Sequence, residues 1–154
     1  YISGGIDAAS AIMLGYSASG GIVSLSHAMA YLRLVINPGS LGSDNIYEIT
    51  ISGANGEQLS GDFKPDYKSC TLASTSKATS IIVRDAGDGI PMGTPVLVAI
   101  PPRRSIKLNF DITDVNGVKR SFKYDPEAAS MPPEMYFCLA GTVRLSTEEY
   151  TLCG

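Results

Sequence analysis

Along residues 106–113, Ile106, Leu108, Phe110 and Ile112 alternate with Lys107, Asn109, Asp111 and Thr113. A period of two sets every apolar side chain on one side of an extended backbone, the signature of a strand buried on one face only. Asn116-Gly117 then turns the chain and "VKRSFKY" returns, so the segment reads as a β-hairpin.

The rest of the chain is cut to the same scale. Sixteen glycines and nine prolines, with many Ser, Thr and Asn residues, divide 154 residues into short apolar segments. That punctuation predicts an all-β domain. The first twenty residues read as loop with at most one short strand. In residues 22–36, Val23 and Leu25 share one parity while Leu32, Leu34 and Ile36 share the other. A β-bulge near Ala28 and Ala30 accounts for the change of phase, with a helical turn over "SHAMAYL" as the alternative. "NPGSLGSDN" ends that element with strong turn chemistry.

Ile46, Tyr47, Ile49 and Ile51 make a second strand, followed by Asn55-Gly56, the strongest hairpin signal in the chain. A loop, a polar ladder and a strand over residues 81–83 come next. "TPVLVAIPP" is a compact apolar strand too short for a helix, and a Pro-rich link leads to a final strand, "YFCLAGTVRL". Seven to nine strands without a helix predict an antiparallel β-sandwich, one domain over residues 1–154.

Composition narrows the function. Lys plus Arg is 12 against 15 for Asp plus Glu, a net charge of -3, and the longest basic cluster is Arg103-Arg104. Binding to a phosphate backbone needs concentrated positive charge, so nucleic acid is not an expected partner. No apolar run approaches the roughly 18–20 residues that span a bilayer as a helix. The chain opens at Tyr1 with no signal peptide, so it is expected to be part of a longer one.

Few residues point to chemistry. His27 is the one histidine. A base or a metal ligand needs partners at suggestive spacing, and no HxH, HExxH or GxSxG pattern frames it. We expect a partly buried imidazole hydrogen-bonded to backbone where the strand changes phase. "DAGDG" (residues 85–89) and "DITDVNG" (residues 111–117) set carboxylates beside glycines, but neither follows the twelve-residue calcium-loop pattern, and turn chemistry explains them. "GYSASGG" and "GSLGSD" lack the phosphate-loop spacing. Tyr47, Tyr67, Tyr124, Tyr136 and Tyr150 are the candidates for a sugar-stacking platform, or else ordinary residues of a β-sheet. Cys70, Cys138 and Cys153 lack CxxC spacing, and an odd count leaves at least one unpaired within the chain; Cys138 in "MYFCLAG" reads as a buried thiol. No catalytic residue, metal site or cofactor is expected.

The order "SLSHAMAYLRLVI", "IYEITISG", "GTPVLVAIPP" and "IKLNFDITDVNGVKRSF" resembles the fimbrillin superfamily, the type V pilus subunits and surface lipoproteins of anaerobic gut and oral bacteria. The resemblance covers residues 22–122. It implies a transthyretin-like Greek-key sandwich, export to the cell surface or outer membrane as part of a fimbrium, and a structural or adhesive role without catalysis. The implied partners are other pilus subunits or host and bacterial surface proteins, with glycan as the alternative ligand of a non-polymerising surface lipoprotein. His27 then matches the strand-opening histidine of these domains, a packing residue.

Overall fold

The computed structural model describes residues 12–23, 25–39, 41–85, 87–101, 106–125, 135–144 and 149–152. Its strands are β1 (Met13–Leu14), β2 (Ser26–His27), β3 (Ala30–Ile36), β4 (Asn45–Gly53), β5 (Phe63–Asp66), β6 (Thr71–Ser74), β7 (Ser80–Arg84), β8 (Ile90–Pro91), β9 (Val96–Ile100), β10 (Leu108–Asp114), β11 (Lys119–Tyr124), β12 (Met135–Arg144) and β13 (Glu149–Leu152). No helix occurs among the described residues, and every strand pairing is antiparallel. The all-β reading holds. The strand count exceeds nine because β1, β2 and β8 are two-residue pairings and because a polar hairpin, β5–β6, forms where the sequence reads as loop and ladder.

Two larger sheets carry the fold. One runs β11-β10-β4-β7, with β8 also paired to β4; the other runs β13-β12-β3-β9. Alternate residues of both enter one apolar cluster: Leu32, Leu34 and Ile36 from β3, Val96, Val98 and Ile100 from β9, and Ile49, Ile51, Leu108, Phe110 and Ile112 from β4 and β10. Burying each such side chain contributes roughly 1.5–3 kcal/mol, which makes this cluster the main stabilising term. The predicted inward set of the β10 hairpin is the buried one.

In β4, Ile46 and Ile49 are both buried although their parities differ. Thr113 pairs with Glu48 and Asp114 with Ile46, so Tyr47 is the extra residue of a β-bulge. The opposite edge of β4 changes partner at the same point, from β7 at Glu48 to β8 at Ile46.

Two expectations fail for reasons of pairing. The phase change in residues 22–36 is a break between strands, since β2 pairs with β1 in a separate small sheet while β3 joins the four-stranded one. Val23 and Leu25 are accordingly exposed. Asn55-Gly56 does turn the chain, with the Gly56 amide donating to Gly53 O at 3.3 Å and a Gly56 φ of 74°. It builds no hairpin, because β10 occupies one edge of β4 and β7 with β8 the other. Residues 59 and 60 bond instead to Ala78 O, at 2.9 and 3.1 Å.

Asn116-Gly117 meets an unoccupied edge and closes the β10–β11 hairpin. The Gly117 amide donates to Asp114 O at 3.0 Å, and the Asp114 amide to Val118 O at 3.0 Å. With φ 83° at Gly117 and no positive φ at Asn116, this is a three-residue loop of a type I turn and a left-handed glycine rather than the two-residue mirror-image turn.

The β5–β6 hairpin is tethered through Gln58, which is buried. Its Nε2 lies 3.0 Å from Ser60 O, 2.7 Å from Ser74 Oγ and 2.8 Å from Ser76 O. At the hairpin tip the Asp66 carboxylate accepts from the Lys68 amide at 3.0 Å, and Cys70, a free thiol, has a φ of 52°. Cys153 and the Cys138 side chain lie outside the described residues.

Phe110→Ala should destabilise the protein by about 3–5 kcal/mol, and Gly117→Ala by about 1 kcal/mol or more, read as shifts of the urea midpoint at constant slope. A loss under 1 kcal/mol for Phe110→Ala would mean that the two sheets do not share a core.

Glu57 supplies a pH test. Desolvation pulls its carboxyl upward, but the backbone amides of Asn55, Glu57 and Lys107 with the Asn55 side chain outweigh it and hold the pKa below the ordinary 4.5. A pKa lowered by folding adds stability above that value and loses it as pH falls through the folded-state pKa. Glu57→Gln should therefore narrow its stability gap to the parent chain as pH drops below about 4.5; a gap independent of pH would refute the assignment.

Candidate functional site

His27 closes β2, pairing with Met13, and its side chain is exposed. Its Nδ1 lies 3.4 Å from the Tyr31 hydroxyl, with the two rings edge to face at 5.7 Å. Tyr31 is buried at the start of β3, and desolvation raises its phenol pKa. The expected partly buried imidazole on backbone partners is thus corrected. His27 belongs to the small β1–β2 sheet, so the core does not enclose it, and its ring meets a phenol.

In each glycine-rich acidic loop one carboxylate serves its own turn. Asp85 Oδ2 accepts from the Gly87 and Gly89 amides at 3.0 and 3.1 Å; Asp114 Oδ1 accepts from the Asn116 and Val118 amides at 2.9 and 2.8 Å. Among the described residues no three His, Cys, Asp or Glu side chains gather where they could hold a metal ion. Asp114 has one irregularity: it is 1% exposed, and its Oδ2 has no hydrogen-bond partner. Gly42 adjoins that oxygen, for a methyl there would stand 3.4 Å from Oδ2 and 3.1 Å from Val118 Cγ2.

Of the candidate tyrosines whose side chains are described, Tyr47, Tyr67 and Tyr124, no two share a strand end. Tyr47 is 43% and Tyr67 58% exposed, one on the β4 bulge and the other at the β5–β6 tip. Tyr124 packs against the core at the far end of the sheet, paired with Leu108, which in turn pairs with Gly53. The side chains of Tyr136 and Tyr150 lie outside the described residues.

What sequence reading missed is the outer face of the five-stranded sheet. The registers align three rows across it: Arg84, Glu48, Thr113 and Lys119; Ile82, Thr50, Asp111 and Ser121; Ser80, Ser52, Asn109 and Lys123. Arg84 forms an ion pair with Glu48, with Nε 2.9 Å from Oε2, and its guanidinium lies 5.1 Å from the Tyr47 ring centroid. Ser121 donates to Asp111. No spacing in the sequence joins Arg84 to Glu48, since only the register sets them side by side.

The sheets also end in open edges. Among the described strands nothing pairs with the outer edge of β7, β9, β11 or β13. At β9, Val96, Val98 and Ile100 are buried while the outer row of backbone groups lacks a strand partner. Such an edge accepts an added strand through main-chain hydrogen bonds.

Asp114→Ala should cost roughly 2–4 kcal/mol, because it strips the acceptor from two turn amides. Asp114→Asn keeps an acceptor and removes the buried charge, so it should cost clearly less. Equal losses in chemical denaturation would show that the turn does not depend on this side chain. Comparison of the chain with models of protein families, with curated proteins and with solved structures finds no match.

Proposed function

We propose that this chain is a non-enzymatic structural or adhesive subunit of a bacterial surface fimbria of the type V pilus kind. In this reading it is a transthyretin-like Greek-key β-sandwich at the cell surface or outer membrane, and it works through β-strand contacts with other subunits or with host and bacterial surface proteins. The observation that carries the reading is the fate of the four segments that resemble the fimbrillins. They form β2 with β3, β4, β9 and the β10–β11 hairpin, and β3, β4, β9 and β10 contribute most of the shared apolar cluster. The outer edge of β9, which no described strand pairs, supports strand-mediated contact, since Val96, Val98 and Ile100 are already anchored in the core.

Mass spectrometry of the native protein's ends, with electrophoresis of surface extracts, tests this. A protease-trimmed N-terminus on protein recovered in SDS-resistant ladders is expected. An untrimmed lipidated monomer would overturn polymerisation and leave a surface lipoprotein that binds glycan or host protein. Recovery from the cytosol alone would overturn the surface reading entirely.

A further inference from the structure

Among the open edges β11 is set apart by charge. Lys119, Arg120 and Lys123 fall within its six residues, all exposed, in a chain of net charge -3. None of the three forms an ion pair among the described residues, where the pairs are Arg84 with Glu48 and Lys107 with Asp125. β10 fills one side of the strand over the whole register from Tyr124 to Lys119, and no described strand lies on the other. Lys119, Ser121 and Lys123 share the outer face with Thr113, Asp111 and Asn109. Arg120 belongs to the core-facing row beyond Ile112, two residues before the half-buried Phe122.

Charges on an edge strand guard against indiscriminate pairing. Here they also select. Two copies of β11 paired antiparallel about Ser121 would set Lys119 opposite Lys123 twice, and a wholly apolar strand would bring its side chains against Arg120. A strand with carboxylates facing Lys119 and Lys123 turns the repulsion into cross-strand ion pairs. Its approach is also steered by the one concentrated positive edge among the described strands.

We infer that the free edge of β11 docks an acidic extended segment of a partner protein, added as a strand by backbone hydrogen bonds and chosen by carboxylates facing Lys119 and Lys123. The inference needs only this edge and its charge, and it stands apart from the fimbrial reading.

The test uses the 154-residue chain, isotope-labelled for amide NMR, and a capped ten-residue peptide alternating Glu with Val, beside the same peptide carrying Lys for Glu. The Glu peptide should shift the β11 amides, protect those facing away from β10 from hydrogen exchange, and bind more weakly as salt rises. The Lys peptide should not bind. In the Lys119→Glu/Lys123→Glu variant the preference should reverse, with a loss of about tenfold or more for the Glu peptide. Should that variant not fold, Lys119→Gln/Lys123→Gln must show the same loss. Absence of binding by the parent chain, protection centred on β7 or β9, or undiminished affinity in the charge variants would each overturn the inference. So would binding of a sulfated polysaccharide without protection of any β11 amide.

Discussion

β4 is hydrogen-bonded along both edges, by β10 on one side and by β7 and then β8 on the other. That double pairing sets the register of the whole five-stranded sheet, and with it which side chains meet the core. A slip of one residue would turn Ile49 and Ile51 outward and bring Thr50 and Ser52 in, so the apolar cluster and the register enforce one another. The bulge at Tyr47 lets a single strand answer two partners. It brings Ile46 back to the core after a change of parity and frees Tyr47 to lie beneath Arg84 on the outer face.

Buried polar groups hold the periphery to this centre. Gln58 joins residues 58–60 to residues 74–76 through one amide, and Asp114 gathers two amides of the β10–β11 loop around one carboxylate oxygen. Each satisfies backbone or hydroxyl groups that strand ladders do not reach, which is why β5–β6 and the hairpin tip keep defined positions without a large apolar contact. The Asp114 oxygen that lacks a partner beside Gly42 is a local cost, borne because the other oxygen closes the turn.

The two Asn-Gly dipeptides show how far local chemistry reaches. Both place a left-handed glycine after a type I turn. Only the second becomes a hairpin, because the strand before it has a free edge whereas β4 has none. The hairpin at β5–β6 is hidden for a different reason: its strands have four residues each, and the short alternation of Phe63 and Pro65 with Lys64 and Asp66 is broken by a proline and answered in β6 by Leu72 alone. Asp66, two residues before Lys68 in a turn, was its one legible sign. His27 was misplaced because a parity change in sequence looks the same whether one strand bulges or two strands separate.

The sequence by itself determined the class of the fold and the membership of its core. A period of two in residues 106–113 and short apolar runs at β4 and β9 favour strands over helices, and Ile106, Leu108, Phe110 and Ile112 are buried as that period requires. Local spacing suffices there because side-chain direction in a strand follows from the backbone alone. Only the tertiary structure decided which strands are neighbours. From that came a hairpin at one Asn-Gly turn and not at the other, the pairing of Arg84 with Glu48, and the gathering of three cations on an edge that no described strand pairs. Neighbourhood in a sheet joins residues far apart in the chain, and no period or motif encodes which edge another strand has already taken.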